Sequence, residues 1–167
     1  MTLRAALRGF MAVPWRRKSL AAEAFADLVF AALVTRLPAR RYASQLGDLQ
    51  REVADSAPGE PDPAHLRDAA EIGRTVSSVA RHLPFRALCL QQAIAVRRML
   101  RRRGITAEVR LGVDPVRVAA MARSPGTAAA ACKTGDGAAH AWVLLGDEVI
   151  CGALSGLPRY AVVGRFR

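Results

Sequence analysis

Aromatic residues make up only 5% of this 167-residue chain, and 14 acidic residues face 25 lysines and arginines. So thin an aromatic content, beside abundant alanine, suggests close helix packing more than a large aromatic pocket. Cysteine is scarce and odd in number. Cys89, Cys132 and Cys151 show no C-x-x-C spacing, which argues against a disulfide framework and against a structural zinc site. The N-terminus lacks the uninterrupted apolar core and small-residue cleavage pattern of a signal peptide. Residues 20–38 are strongly apolar, but Glu23 and Asp27 interrupt them and argue against a membrane span. These shortages suggest a reducing, cytoplasmic setting. Acids run out altogether after Glu148.

What the chain has in quantity is apolar and basic. At 51% hydrophobic residues it is a folding sequence, long enough for one domain with a real core and a helical extension. The net charge of +11 gathers at Arg16-Arg17-Lys18, at Arg40-Arg41 and along residues 97–103. Such a balance suits an acidic peptide or protein, an anionic membrane surface or a nucleic acid. No recognised DNA-binding motif accompanies it, so nucleic acid is not the expected partner. Peripheral membrane contact through Trp15 and its basic neighbours is compatible with the pattern.

In chain order, residues 2–12 read as a short basic amphipathic helix with Leu3, Leu7 and Phe10 on one side. Leu20, Ala24, Phe25, Leu28, Val29 and Ala32 then make the broad apolar stripe of a core helix ending at Pro38. Residues 39–55 read as helical and mostly polar, and residues 56–63 hold three prolines and a glycine, the composition of a linker. The expected organisation is therefore an N-terminal helical region over 1–55, a linker over 56–63 and a core over 64–167. Within the core, Leu66, Ala69, Gly73, Val76, Ala80 and Leu83 form a helical seam, with His65 and His82 as surface or capping residues.

After Pro84 a second helical pattern starts at once, with Ala93, Ile94, Val96 and Leu100 on its apolar face. Arg97, Arg98, Arg101, Arg102 and Arg103 lie opposite, read as a solvated face, and Gly104 supplies the stop. Cys89 falls in the first turn. Unpaired N–H groups and the helix dipole there favour a thiolate, and the same N–H groups can stabilise an oxyanion. A small buried hydrophobe is the other reading of such a cysteine, and a histidine partner decides between them. Beyond Gly104 the period changes to two. Residues 106–113 alternate as a half-buried strand, 114–137 read as a long loop or a loop plus a loose helix, and 138–145 form a second strand with His140 on the face of Trp142 and Leu144. Gly146-Asp147-Glu148 turns into a third strand over 149–154.

A helix opening on Cys, a strand, a His-bearing strand and another strand follow the order of the transglutaminase-like and papain-like cysteine enzymes. The segments Pro84-Phe-Arg-Ala-Leu-Cys89-Leu-Gln-Gln-Ala93, Leu100-Arg-Arg-Arg-Gly104, Leu111-Gly-Val113 and Ala139-His140-Ala-Trp142-Val143 resemble the transglutaminase-like leader peptidases of lasso-peptide maturation. So does Val13-Pro-Trp-Arg-Arg-Lys18 with Leu37-Pro38, and the likeness extends over nearly the whole chain. The resemblance implies an α+β fold: a transglutaminase-like (papain-like) core with a Cys-bearing helix packed on a small antiparallel sheet, preceded by an N-terminal helical region. It implies a cysteine protease that cuts the leader from a ribosomally made lasso precursor, with Cys89 as nucleophile, His140 as base and a thioester between them. No cofactor or metal is implied. The implied partners are the precursor peptide, a separate leader-binding protein and an ATP-dependent lasso cyclase. An acyltransferase or amidase on the same fold, or a non-catalytic basic binding module, is the alternative.

One departure from the family pattern matters. The Asp that orients the histidine, about a dozen residues downstream of it, falls here at Gly152. Asp147 sits at the hairpin tip, and at ~3.3 Å per strand residue that is about 20 Å from His140. The remaining orienters are a backbone carbonyl, Ser155 or a loop acid such as Asp136; otherwise Cys89 and His140 act as a dyad. Gln91 and Gln92 are side-chain alternatives to backbone N–H groups as oxyanion donors.

Overall fold

The computed structural model describes residues 14–50, 61–123 and 138–167. The helix expected over 2–12, residues 51–55, most of the proline-rich segment, Cys132 and Asp136 lie outside the described residues. The helix expected over 39–55 ends at Leu46, where Gly47 breaks it and Asp48 and Gln50 pair with the C-terminal backbone instead. Helices α1 (Trp15–Val34), α2 (Ala39–Leu46), α3 (Pro63–Ala80) and α4 (Cys89–Arg101) precede β1 (Glu108–Val113). Then follow α5 (Pro115–Arg123), β2 (Ala139–Leu145), β3 (Glu148–Cys151), a 3-10 turn at Leu157–Arg159 and β4 (Ala161–Phe166). The four strands form one antiparallel sheet in the order β3-β2-β1-β4. This is the expected α+β class, with helices packed on a small antiparallel sheet.

Helix α3 starts where the sequence supplies both a stop and a cap. Pro63 occupies its first turn, and the Asp62 carboxylate accepts the Ala64 N–H at 2.7 Å. Its seam residues Ala69, Ile72, Gly73 and Val76 are buried, and α4 buries Ala93 to Val96, Met99 and Leu100. Leu20, Ala24, Leu28 and Ala31 of α1 join the same hydrophobic core, so helices on both sides of the proline-rich segment share it. Strand β2 divides its side chains by alternation. Ala141, Val143 and Leu145 enter that core, whereas Trp142 and Leu144 pack with Tyr160 in a second, smaller cluster. No described helix is long and apolar enough to cross a membrane.

The arginine face of α4 is solvated only in part: Arg101, Arg102 and Arg103 are exposed, yet most of its guanidiniums are paired. Arg98 Nε donates to Asp27 Oδ1 at 2.9 Å, Arg102 bridges Asp27 and Glu23, and Arg103 meets Glu23 at 2.6 Å. Arg98 also lies over the Phe30 ring at 3.9 Å, and Arg97 donates to the Gln45 carbonyl at 3.1 Å. The two acids that interrupt the apolar stripe of α1 are therefore the counter-ions that dock α4 against it. Asp27 is 5% exposed, and a charge that deep survives only when paired.

Two further observations concern the sheet end of the chain. Of the two readings of residues 114–137, the one that includes a helix is seen: α5 opens the segment, and its first N–H groups are capped by Asp114, whose Oδ1 accepts from Val116 at 3.1 Å. Strand β4 carries no clear alternation, with Val162 and Val163 exposed at the sheet edge, and backbone pairing with β1 defines it instead.

Replacing Asp27 by alanine leaves Arg98 and Arg102 facing an uncompensated gap, and should cost on the order of 3 kcal/mol in urea unfolding. A loss near zero would show that the pairing does not hold α4. Hydrogen bonds from Arg103, opposed by burial and helped by Arg102, hold the Glu23 carboxyl below its ordinary range. Its contribution is present above the unfolded carboxylate pKa and disappears as pH falls through the depressed one. Glu23→Gln should therefore flatten the acid side of the stability profile and leave the alkaline side alone.

Candidate active site

Cys89 is the first residue of α4, entered from an extended Leu88. Two glutamines fix that entry. Gln91 Oε1 accepts the Leu88 N–H at 2.9 Å while its Nε2 donates to Thr35 Oγ1 at 3.0 Å, tying the start of α4 to the end of α1. Gln92 Nε2 donates to the Ala87 carbonyl at 3.0 Å. Both hold the loop that presents Cys89; Gln91 is turned toward α1 and away from the cleft, whereas Gln92 lines it. As an oxyanion donor the backbone is better placed, because the N–H groups of Leu90 and Ala141 reach the thiol.

The structure brings Cys89 and His140 together at one cleft, close enough for each to shift the other's pKa. His140 sits on the second residue of β2, stacked near-parallel on Trp142 with ring centres 6.0 Å apart and tilted against Tyr160 at 5.5 Å. Its Nε2 lies 2.8 Å from the Gly152 carbonyl oxygen. A carbonyl only accepts, so that nitrogen carries the hydrogen, and in the neutral ring Nδ1 is the lone-pair nitrogen left for the thiol. This is the tautomer a general base needs.

Gly152 thus occupies the place of the family's acid and offers its backbone instead of a carboxylate. Its φ of +81° is in the left-handed region, and a Cβ there would lie 2.6 Å from the Ala141 oxygen and 3.0 Å from Trp142 Cα. Only glycine fits without strain. A register shift at Val143/Leu144, where β2 pairs β3, sets the bend that brings Gly152 to His140. Of the other orienters, Ser155 and Asp147 are exposed and do not line the cleft, and Asp136 lies outside the described residues.

Electrostatics follow the geometry. Burial opposes ionisation of Cys89, but the hydrogen bond and charge of His140, with the Ala141 and Leu90 N–H groups, outweigh it and lower the thiol pKa. Burial likewise opposes protonation of His140, and the thiol and the Gly152 carbonyl outweigh it and raise the imidazole pKa. Both shifts favour a thiolate–imidazolium pair. Cys151 behaves oppositely: burial pushes its thiol pKa up, and its sulfur rests 3.9 Å from Ser77 Oγ.

The pair opens onto a cleft of about 660 Å³ between α3 and the chain after β3. Arg74, Ser77 and Arg81 line one side and Cys151 to Leu154 the other. The apolar seam of α3 was legible in the sequence, but the lining role of its polar residues was not. What places them is Gly73, whose missing side chain lets the helix rest on the Ile150 carbonyl of β3.

Alkylation of Cys89 by iodoacetamide should have its acid limb below the ordinary thiol range, because the thiolate is the reactive form. His140→Ala removes the lowering partner and leaves the burial, so the limb should move to higher pH; an unchanged limb would contradict the pairing. Gly152→Asp reinstates the family's acid by sequence alone. It should nonetheless slow alkylation and destabilise the fold, since the new side chain has no room and the backbone would be strained.

A family model described as the Transglutaminase-like superfamily matches residues 33–165. No curated protein and no solved structure matches the chain significantly. The match spans the Cys89 helix, the whole sheet and Gly152, and the chain belongs to the transglutaminase-like superfamily.

Proposed function

We propose that the protein is a cysteine peptidase that removes the leader from a ribosomally synthesised lasso precursor. The observation that carries the catalytic part is the Cys89–His140 pair at a helix start, with Nε2 anchored on Gly152 and an open cleft alongside. The lasso assignment rests on the likeness of the segments around Cys89, Leu100–Gly104 and His140. A separate leader-binding protein would deliver the precursor, and a separate ATP-dependent cyclase would take the freed core peptide.

In this reading the Cys89 thiolate attacks the scissile carbonyl, and the carbonyl π electrons move onto oxygen. The N–H groups of the first turn of α4 stabilise that oxyanion. The imidazolium of His140 then protonates the leaving amine as the C–N bond breaks, giving a thioester on Cys89. Neutral His140, accepting through Nδ1, takes a proton from water as that water attacks the thioester. Collapse releases the carboxylic acid and restores the thiolate. The Gly152 carbonyl holds the ring through both half-reactions but cannot offer the full charge of a carboxylate to the imidazolium.

Mass spectrometry of a candidate precursor, incubated with this protein and the leader-binding protein, tests the assignment. Wild type should cut at one leader–core junction. Cys89→Ala and His140→Ala should each lose at least about a thousand-fold in rate, whereas Asp147→Asn should keep it, its side chain being exposed at the β2–β3 turn. An intact precursor with the partner present would contradict the peptidase reading. A product carrying an added amine in place of the new carboxylate would favour acyl transfer.

A further inference from the structure

Most described arginines with a resolved role are spent inside the fold. Arg98, Arg102 and Arg103 meet the acids of α1, Arg16 meets Asp68 and Glu71, and Arg117 and Arg159 meet Asp114. Arg74 and Arg81 belong with the unpaired described surface arginines such as Arg17, Arg67 and Arg101, but only these two line the cleft of Cys89. Both are exposed on α3, both line the Cys89 cleft, and neither guanidinium has a hydrogen-bond or ion-pair partner among the described residues. Among the described residues no Asp or Glu lines that cleft. A neighbouring cavity of about 620 Å³ shares Ser77, Arg81 and Gln92 with it and adds Phe85 and Arg86, again without an acid. The groove beside the thiol is therefore basic over its whole described length, on a helix otherwise docked through its apolar seam.

We infer that this groove selects peptides bearing carboxylate side chains next to the cleaved bond, with Arg74 and Arg81 as the specificity-determining residues. The inference deepens the peptidase reading and rests on it for the words "cleaved bond". Geometry sets the spacing. Seven residues separate Arg74 from Arg81, the C-cap of α3, by roughly 10.5 Å along the axis, which three residues of a polyproline-II peptide, at ~3.1 Å each and with every third side chain on one face, cover at about 9 Å. Two guanidiniums at that separation meet two acidic side chains about three positions apart, not one carboxylate between them. Exposure keeps each pairing modest, and desolvation as the peptide fills the groove strengthens it.

The test uses the full chain and two synthetic octapeptide amides of alanine. One carries Glu at its third and sixth positions, and the other carries Gln there. The first readout is free of turnover: protection of Cys89 from iodoacetamide, followed by mass spectrometry of the Cys89 peptide. The Glu peptide should protect at about five-fold lower concentration than the Gln peptide. That preference should shrink in 1 M salt, where the screening length falls to about 3 Å. In the Arg74→Gln/Arg81→Gln double variant the ratio should fall to about one. In Arg74→Glu/Arg81→Glu it should invert in favour of a Lys-bearing peptide, a gain that a misfolded protein could not show. The second readout is hydrolysis of a positional-scanning peptide library by the wild type. Cleavage without any preference for acidic residues would overturn the subsite and leave the peptidase reading standing. Selective protection without cleavage would uphold the subsite and remove the peptidase reading. Equal protection by the Glu and Gln peptides in the wild type would refute the inference outright.

Discussion

The hydrogen bond between His140 Nε2 and the Gly152 carbonyl links nearly every feature of the candidate site. It places the hydrogen on Nε2, and so leaves Nδ1 for Cys89. It requires a chain that leaves β3 in the left-handed region, and so requires glycine. It also requires the register shift between β2 and β3, which makes the sheet part of the catalytic geometry and not merely its support. A carboxylate in the same place would stabilise an imidazolium through a charge-assisted bond, roughly twice as strong as a neutral one. A carbonyl secures the orientation and the tautomer and gives up part of that stabilisation. The sharing of work shifts accordingly toward the thiol's other neighbours, where the N–H groups of Ala141 on β2 and Leu90 at the helix start join His140 in lowering its pKa against the cost of burial.

Holding that helix start in place is the second constraint. Helix α4 is tied at both ends to α1: by Gln91 to Thr35 at its beginning, and by Arg98, Arg102 and Arg103 to Asp27 and Glu23 along the rest. On the other side, α3 rests through Gly73 on the backbone of β3, one residue pair away from the cysteine and glycine that end the strand. Helix, strand and glycine are thus located against one another by close backbone approach and buried ion pairs. Such contacts leave little room for the nucleophile and base to drift apart.

Much of this was legible in the residues, and the limits have physical causes. The Cys89 helix and the β2–β3 hairpin declare themselves through period and punctuation, because each has one face in the core and a Pro or Gly at its boundary. The pairing of Cys89 with His140 follows from element order in the family, and the displaced acid pointed to Gly152 as the position to watch. That the carbonyl of Gly152 itself would face the ring could only be left as one of several options, since a backbone direction depends on φ and on strand register. The ion pairs made by the partly solvated arginine face of α4 are not legible for a related reason. Glu23 and Asp27 are over seventy residues away in sequence from their partners, and one-helix periodicity says nothing about which helix docks. Strand β4 escaped notice because an exposed edge strand need not alternate. The polar side of α3, with Arg74 and Arg81, looked like any solvated face until the fold set it beside the thiol.

The tautomer of His140 is the observable closest to the central claim. Long-range proton–nitrogen correlation spectra of protein labelled with ¹⁵N-histidine resolve Nδ1 and Nε2, and comparison with His140→Ala assigns the signal among the chain's three histidines. The account predicts a hydrogen on Nε2 at every pH, hydrogen-bonded and slow to exchange, with Nδ1 alone gaining and losing its proton as the pair with Cys89 titrates. A neutral ring protonated on Nδ1, with Nε2 bare, would mean that the Gly152 carbonyl does not orient the base.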